Sequence, residues 1–443
     1  MKQAGKIFFC AAIGLTACAA VFGFWAKTHL DAFLKQRIMA ALGKSYPVYA
    51  VQIGALHYDI THNRLDCDSV SVVNIDSGVS CRLARISFID IDRTRLLKGE
   101  ALNTESLSSM VIEVEGIEMM FARFQYVLYG AHLRISAADS SLLAEHVEVH
   151  PQMDDAAFFA ASNFRRTRFI SSVSRCSISS IDYEGLVQER SFRFRFAQVD
   201  DAALSVLIDK DKPDKVTPSI PPMPYAILAT IKESLMIDSI CVTNGSLAYS
   251  EQFRAGAKPA TITCDSVRVT ADHIGNSEEI ADTAVIQAQG VLMNSAPINM
   301  MISMPLGSPQ LSFLYSGSVG TMKMDKFNPF LEIAEHKRVK TGMLYGASFD
   351  IAVVDGRATG NVKAQYEDLK LSAIDGPNGS EGGILNRLGS IIANNMRLRT
   401  TSMADKSGSM KIGFVRYEKK PYETFFSFAW IAIRSGLADI VGF

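Results

Sequence analysis

The sequence predicts a mainly β protein built from antiparallel strands that follow one another along the chain. Apolar and polar residues alternate through much of residues 45–208, for example at Tyr49, Val51 and Ile53, which is typical of strands with one apolar face. Further stripes of this kind are Ala84, Ile86 and Phe88, and Ala131, Leu133 and Ile135. Clusters of Asp, Asn, Ser and Gly interrupt these runs and indicate tight turns. Strands do not alternate with long helices, so we expect no parallel pairing, and no repeat of fixed period is found.

The chain begins with a candidate membrane anchor. Residues 7–26 carry no charge and follow Lys2 and Lys6. Twenty residues at 1.5 Å per residue span about 30 Å, the thickness of a bilayer core, and the basic start places residues 1–6 in the cytoplasm. A cleaved signal peptide shares these marks. Cys18 ends a Leu-Thr-Ala-Cys sequence of the lipoprotein type, but the residues after it stay apolar, which favours an uncleaved transmembrane helix.

Further segments follow the anchor. Residues 27–44 carry apolar residues at helical spacing, which predicts an amphipathic helix that packs under the first strands rather than binding the membrane surface. These residues are Leu30, Phe33, Leu34, Ile38, Ala41 and Leu42. Five prolines lie between residues 209 and 225, and because proline lacks an N–H donor this segment is predicted to be a linker. The predicted organisation is a tail at 1–6, the anchor at 7–26, the amphipathic helix at 27–44, an N-terminal β region at 45–208, the linker at 209–225, a C-terminal β region at 226–420 and an apolar helix at 421–443.

The segment from Asp325 to Ile374 combines a helix start with a β meander. Asn328 is predicted to cap a short helix with its side-chain oxygen, and Pro329 suits the first helical turn, where its missing N–H is not needed. The helix is predicted to end at a basic cluster before Gly342, formed by Lys337, Arg338 and Lys340. Three strands are predicted next, at Met343–Val354, Gly356–Tyr366 and Asp368–Ile374.

Several short motifs stand in a fixed order in the C-terminal half. They are Asn244 to Tyr249, Met324-Asp325, Phe327-Asn328-Pro329, Lys340-Thr341-Gly342, Gly360, Tyr366-Glu367-Asp368-Leu369, and Arg416 with Phe425 to Gly436. In this order and spacing they resemble the C-terminal region of the AsmA-like proteins of the Gram-negative cell envelope. The resemblance is specific over residues 237–436 and looser over the rest of the chain. The alternative is coincidence, since capping residues and turn glycines recur in any β-rich domain.

The resemblance implies a fold and a function. AsmA-like proteins have an inner-membrane anchor and an elongated antiparallel sheet that curls, taco-like, around an apolar groove, with a few short flanking helices. It implies a single-pass inner-membrane protein, mostly periplasmic, that carries phospholipid along the groove between inner and outer membrane and supports outer-membrane biogenesis. Phospholipid and the inner membrane are the implied partners. The alternative is a non-enzymatic envelope scaffold or assembly factor with a filled β core.

Two apolar stripes are candidates for the lipid groove. The first is Phe192, Phe194 and Phe196, which alternate with two arginines expected on the other face. An ordinary filled core would use the same residues and bury each ring at roughly 1.5–3 kcal/mol. The second stripe is Ile298, Met300, Ile302 and Met304. Methionine adapts to irregular apolar contents, which favours a groove for the second stripe.

The C-terminal run Phe425 to Ile433 is apolar on all sides and too short to span a bilayer. A buried core helix is the commoner explanation of such a run. The more specific explanation is a helix that contacts a membrane or a partner, for example at the outer membrane, because a tryptophan near Arg434 suits an interface. The candidate contact residues are Phe425, Phe426, Phe428, Trp430 and Ile431.

Composition and motifs argue against nucleic-acid binding and catalysis. The net charge is −1, and no basic run is interleaved with aromatics, so a nucleic-acid partner is not expected. Known nucleophile and metal-ligand motifs are not found, and we expect neither enzyme activity nor a cofactor. His146 and His150 share one face of a strand but stand about 13 Å apart at 3.3 Å per residue, too far to share one metal ion.

Five cysteines lie beyond the anchor, namely Cys67, Cys81, Cys176, Cys241 and Cys264. In the periplasm an odd number leaves at least one thiol free or paired with another chain. Cys67 and Cys81 flank a turn and are the candidates for a cross-strand bridge. We favour the alternative, in which they are ordinary buried core residues.

Overall fold

The computed structural model describes residues 30–44, 46–74, 76–94, 109–188, 191–214, 223–276, 283–306, 310–374, 399–405, 410–421 and 423–442. The chain is mainly β, with 59% in strands and 18% in helices, which confirms the predicted fold class at this level. It divides into two compact units, residues 1–146 and 147–443, which we describe one at a time. The predicted anchor at 7–26 and Cys18 lie outside the described residues. Among the helices that the structure does describe, none has the length and apolarity to cross a bilayer.

Unit 1 is an antiparallel meander with one long helix. Residues 30–44 form helix α1, inside the segment predicted to be an amphipathic helix. The strands are β1 (Tyr49–Asp59), β2 (Arg64–Asn74), β3 (Val79–Ile89), β4 (Val111–Phe121) and β5 (Tyr126–Ser136). Each pairs antiparallel with the next, as the alternation predicts. Strand β6 (Ser141–Pro151) runs across the division between the units.

The strands of unit 1 repeat with a period of 15 residues that the sequence analysis missed. Each strand has 11 residues, and β1, β2 and β3 begin at Tyr49, Arg64 and Val79. The same step separates β4 from β5 and β5 from β6. The residue before a strand often has a positive φ, as at Asn63 (49°) and Gly78 (69°). This left-handed residue closes each turn, and its identity varies because Asn, Gly, Gln and Ser all occupy it.

At the centre of every strand in unit 1, a second set of residues interrupts the regular alternation of side chains. We call this the mid-strand crease and define it by Gly54, Ser69, Ala84, Gly116 and Ala131, which lie opposite one another across β1 to β5. Ser69 (φ 53°) and Gly116 (φ 61°) are left-handed. A Cβ on Gly116 would lie 2.8 Å from Cβ of Ala84, so only glycine fits there.

The crease shifts the alternation by one residue. In β2 the buried positions are Leu65 and Cys67 before Ser69, and Val70 after it. The predicted stripes that begin at Ala84 and Ala131 therefore start at the crease and cover only the second half of each strand. In the first half of each strand the apolar positions are shifted by one residue relative to the second half. A simple period-two pattern therefore matches only one half of a strand at a time.

Helix α1 covers part of the apolar face of unit 1. Leu34 is fully buried against a cluster that includes Leu56 and Tyr58, and Leu30 and Ile38 pack beside it. Asp31 fixes the helix at one point by accepting a hydrogen bond from the backbone N–H of Tyr58 at 2.9 Å. Leu30, Leu34 and Ile38 of the predicted stripe thus pack under the first strands, whereas Phe33 (44% exposed) and Ala41 of the same stripe are exposed.

Within the described residues, unit 2 contains the remaining strands, four helices of six or seven residues and one helix of 17 residues. Its strands are β7 (Thr167–Ser179), β8 (Ser191–Asp200), β9 (Ala203–Asp209), β10 (Ser234–Gln252), β11 (Ala260–Gly275), β12 (Thr283–Leu292), β13 (Ala296–Pro305), β14 (Phe313–Val319), β15 (Met322–Lys323), β16 (Lys337–Val354), β17 (Arg357–Ala373) and β18 (Ile412–Glu418). Its helices are α2 (Asp155–Ala160), α3 (Tyr183–Gln188), α4 (Pro224–Ala229), α5 (Asn328–Ala334) and α6 (Phe425–Val441), with a 3₁₀ turn at Met324–Phe327.

Strand β10 overturns the expectation that no strands pair parallel. It pairs parallel with β8 along its first half and with β9 along its second half, while its other edge pairs antiparallel with β11. The crossover from β9 to β10 contains α4, which begins at Pro224 and is too short to give a clear periodic signal. The predicted linker at 209–225 therefore connects neighbouring strands of one sheet, and residues 215–222 within it lie outside the described residues.

The segment around α5 departs from its prediction in three ways. Asn328 does not cap the helix: Phe327 holds that position, and the Asn328 amide instead bonds both backbone groups of Val339, at 2.8 and 3.0 Å. Lys337 and Arg338 begin β16 rather than ending a helix. Strand β17 continues through Glu367 without a turn. Asp368 is left-handed (φ 52°), and the register with β16 shifts there before pairing resumes at Lys370, as in a β-bulge.

Helix α6 lies over the largest core of unit 2. Thr424 caps its start by accepting from the Ser427 N–H, and Gly442 ends it in the left-handed region. Its buried face is formed by Phe428, Ala432, Gly436 and Ile440, one residue per turn. A Cβ on Gly413 of β18 would lie 1.9 Å from the Gly436 carbonyl oxygen, so the helix backbone touches the sheet at this pair of glycines.

Candidate functional site

The apolar face of unit 1 consists of continuous rows of side chains that cross all five strands. Cross-strand partners follow one another in each row, as the pairing registers show. Two of the rows are Leu56, Cys67, Ile86, Val114 and Leu133, and Val51, Val72, Cys81, Met119 and Leu128. The crease separates these two rows without interrupting the apolar face.

The buried part of this face is smaller than the face itself. In the described residues, the cluster under α1 extends over β1 to β3. On β4 and β5 most row residues are only partly buried, among them Ile117, Met119 and Leu128. We name the part on β4 and β5 the open apolar face. Sequence reasoning did not single out these residues, because their half-strands are out of phase with the stripes on the far side of the crease.

Unit 2 shows the same arrangement. One row of partners is Ala197, Ile240, Ala271, Ile286, Ile302, Tyr315, Ile351, Gly360 and Val415. Toward β18 it is fully buried under α6, as at Ile351 and Val415, whereas Ile240 and Ala271 are partly exposed. A helix therefore fills one end of each apolar face.

The second predicted stripe lies at the edge of the filled part. Ile302 and Met304 are buried in the core under α6, Met300 packs against that core, and Ile298 is partly buried. Their alternation with exposed Pro297, Asn299 and Met301 follows the prediction. The packed core under α6 thus surrounds the half of this stripe that Ile302 and Met304 form.

The first predicted stripe is divided. Phe192 and Phe194 lie edge to face, with ring centroids 5.5 Å apart, and Phe194 is buried. Phe196 is 41% exposed, and the next buried residue is Ala197, so the three rings do not share one environment. Arg193 and Arg195 are exposed, as expected for the polar positions.

The C-terminal candidates fall on two faces of α6. Phe428 is fully buried, with its ring centroid 6.0 Å from that of Tyr417, and Phe425 packs against Phe313 at 5.0 Å. Phe426 and Trp430 point outward, 77% and 43% exposed, and Ile431 is partly buried. Phe426 and Trp430 are therefore the pair available for a membrane or partner contact.

The polar face of unit 1 carries a ladder of ion pairs, some within one strand and some between strands. Arg64 Nε lies 2.8 Å from Asp66, and Arg85 Nε lies 2.7 Å from Asp68. Glu113 lies 3.0 Å from Arg134 and 3.6 Å from Arg64. Burial alone raises the pKa of Asp66, but hydrogen bonds from the Ser87 hydroxyl and the Arg64 guanidinium outweigh it, and the net shift is downward.

The polar face of unit 2 opens into a cavity of about 800 Å³ between β11 and β17. Its lining includes two neighbouring cross-strand rows, together with Ala288, Met300, Gly317 and Phe349 from the positions between them. The first row is Arg268, Gln289, Asn299, Ser318, Ser348 and Lys363. The second row is Thr270, Gln287, Met301, Ser316, Asp350 and Asn361, followed on β18 by Phe414. We name these two rows the polar strip.

The cysteines and histidines form no reactive centre in the described residues. All five described thiols are free: Cys67 pairs across the strands with Ile86, and Cys81 with Val72, so no bridge joins them. Burial raises the pKa of Cys67 to about 11, which keeps it a neutral thiol. His146 and Glu148 are exposed, and no group of three metal-binding side chains occurs in this part of the chain.

Comparison with known proteins finds neither a family model nor a curated protein that matches this chain. Membership of the AsmA-like family stays a prediction from the motifs.

Proposed function

We propose that this protein carries phospholipid along its apolar sheet faces, as an AsmA-like protein anchored in the inner membrane with its sheet in the periplasm. The observation that carries the proposal is the mismatch between apolar rows and covering helices. In unit 1 the rows cross five strands, while the buried cluster under α1 reaches the third. Acyl chains of a phospholipid fit the remaining open apolar face on β4 and β5.

The energetics of such a face favour lipid over water. Leaving apolar side chains partly exposed costs roughly 25 cal/mol per Å² of accessible area. An acyl chain on this face regains about 0.8 kcal/mol for each CH₂ that it buries. A row of such side chains offers the same environment at every strand, so a chain moving along it meets no large barrier while the head group stays in water. Such movement needs no catalytic residue and no cofactor.

The alternative function is a non-enzymatic envelope scaffold with a filled core. The extensive core under α6 favours it for the C-terminal end of unit 2, where Phe428 and Ile351 are fully buried. Lipid carriage therefore rests on the open apolar face of unit 1 and on the partly exposed row at Ile240 and Ala271, rather than on the stripe at Ile302 and Met304.

The test uses the full-length protein purified from membranes in a mild detergent and analysed by native mass spectrometry. Leu128→Asp places a charge on the open apolar face. Phe124→Asp makes the same kind of change in the turn before β5, where the ring is 70% exposed and off the apolar rows. We expect phospholipid bound to the wild type and to Phe124→Asp, and at least about tenfold less bound to Leu128→Asp.

A lipid-free wild type, or a folded Leu128→Asp that retains its lipid, would contradict the proposal and favour the scaffold. Circular dichroism and a melting curve establish that the variant is folded. Met119→Gln, which is uncharged and lies across from Leu128, serves as a milder second variant and should reduce bound lipid less than Leu128→Asp.

A further inference from the structure

The polar strip of unit 2 has an unusual chemical composition for a solvent-facing sheet. It contains amides, hydroxyls, two cations and a single carboxylate, with Met301 as its one apolar member before Phe414. In the part of the chain that the structure describes, none of these polar side chains makes a hydrogen bond or ion pair to another residue. The ladder of unit 1 is the contrast, because there the charges pair with one another.

The cations of the strip lie at its two ends. Arg268 begins the first row on β11 and Lys363 ends it on β17, with four uncharged residues between them. Six strands have five spacings, so at about 4.8 Å each the two cations stand roughly 24 Å apart. A ligand that satisfies both must therefore be extended, run across the strands and carry negative charge on more than one of its units.

The uncharged residues indicate what lies between the charges. Gln289, Asn299 and Asn361 each offer a donor and an acceptor, and the serines offer hydroxyls that can do either. This combination matches the many hydroxyl groups of a sugar chain, each of which donates and accepts. It matches acyl chains and apolar peptide side chains less well, because these neither donate nor accept hydrogen bonds.

An exposed aromatic ring completes the arrangement. Phe414 is 64% exposed and lies beside Asn361 at the end of the second row. Its backbone N–H donates to the Asp439 carboxylate of α6 at 3.2 Å, which fixes this part of β18. A flat apolar ring next to amides suits the C–H face of a pyranose ring, whose hydroxyls point to the sides.

We propose that the polar strip binds an acidic oligosaccharide laid across β11 to β18. Arg268 and Lys363 contact its carboxylate or phosphate groups, the amides and serines contact its hydroxyls, and Phe414 packs on one sugar ring. The apolar rows use the alternate residues of the same strands and so lie on the opposite face. The proposal is therefore independent of lipid carriage.

The test is isothermal titration calorimetry on the full-length protein with three probes. Tetragalacturonate is the acidic sugar, maltotetraose the neutral sugar and tetraglutamate an acidic chain without sugar hydroxyls. We expect tetragalacturonate to bind most tightly. The double variant Arg268→Gln/Lys363→Gln should weaken tetragalacturonate binding at least about tenfold. The control double variant Arg357→Gln/Lys370→Gln removes the same charges from exposed sites off the strip and should leave the binding unchanged.

Asn361→Ala and Phe414→Ala should each weaken both sugars, by about threefold to tenfold. Absence of tetragalacturonate binding at millimolar concentration overturns the proposal. So does equal binding of tetraglutamate, which would mean that charge alone is recognised, or equal binding of maltotetraose, which would remove the role of the cations. An equal loss of tetragalacturonate affinity in the control double variant would show a non-specific charge effect and would also contradict the proposal.

Discussion

The two units bury their apolar faces alike but treat their polar faces differently. In each, a helix fills one end of a long apolar face: α1 through Leu34 in unit 1, and α6 through Phe428 in unit 2. The polar face of unit 1 pairs its charges within the sheet, whereas the polar strip of unit 2 leaves Arg268, Asp350 and Lys363 without partners in the described residues. Charges that pair with one another on a sheet need no further partner. Charges that stay unpaired around a cavity are available to bind a ligand.

The prediction with the largest expected effect compares how much the buried contacts of α1 and of α6 contribute to stability. Phe428→Ala should cost about 3–5 kcal/mol and Leu34→Ala about 2–5 kcal/mol, since both side chains are fully buried. Phe426→Ala is the matched control on the outer face of α6 and should change stability by less than about 0.5 kcal/mol. Urea unfolding of each variant measures this, and a small effect of Phe428→Ala would mean that α6 docks only loosely.

The next effect concerns how closely α6 approaches its sheet. Gly413→Ala should destabilise by about 1–3 kcal/mol, because its Cβ would overlap the Gly436 carbonyl and push the helix away from β18. Gly43→Ala in α1 is the control: no atom lies within 4 Å of its added Cβ, so it should be neutral or slightly stabilising. Thermal melts compare the two, and equal melting temperatures for Gly413→Ala and wild type would contradict the close contact.

The difference between the polar faces predicts that removing one carboxylate charge costs more stability in unit 1 than in the polar strip of unit 2. Glu113→Gln removes a charge that lies near Arg134 and Arg64, and should cost roughly 0.5–1 kcal/mol at low salt and less in 1 M NaCl. Asp350→Asn removes a charge without a partner in the described residues, and should change stability by less than about 0.5 kcal/mol. Equal losses in chemical denaturation would remove the distinction between ladder and strip.

The smallest effect is a pH dependence located in the ladder. Because the pKa of Asp66 is lowered in the folded protein, its carboxylate adds stability that is present above the ordinary Asp value of about 3.9 and is lost as pH falls through the lower folded value. Asp66→Asn should therefore lose less stability than wild type between pH 5 and pH 2.5, to be measured by urea midpoints. Parallel curves for the two proteins would show that Asp66 is unperturbed.

Much of the strand content could be predicted from the sequence, whereas the register of the apolar face could not. Tyr49, Val51 and Ile53 alternate correctly as far as the crease. Beyond it the phase depends on a backbone conformation at Ser69 that its side chain does not signal. The 15-residue period was missed for the same reason, since Asn63, Gly78 and Gln125 share a left-handed φ but no side-chain chemistry.

Prediction of the candidate sites was limited by contacts that are distant in sequence. The sequence from Phe425 to Ile433 is apolar on all sides, and only packing against Phe313 and Tyr417 divides it into buried Phe428 and exposed Phe426. The parallel pairing of β10 likewise depends on a crossover between distant segments. The polar strip was overlooked because its members are unremarkable singly and meet only through the registers of seven strands.

The 15-residue step of unit 1 has a consequence for how such a chain can change length. Each step reverses the strand direction, so two steps, or 30 residues, return the chain to its starting direction with every crease residue and turn in place. A duplication or deletion of this size would lengthen or shorten the sheet while keeping its apolar rows aligned. The longer connection from β3 to β4, which keeps both rows in register, shows that extra residues are tolerated between strands. Length variation within the strands themselves should therefore occur in pairs of hairpin arms, since a different change inside a strand would shift its apolar positions.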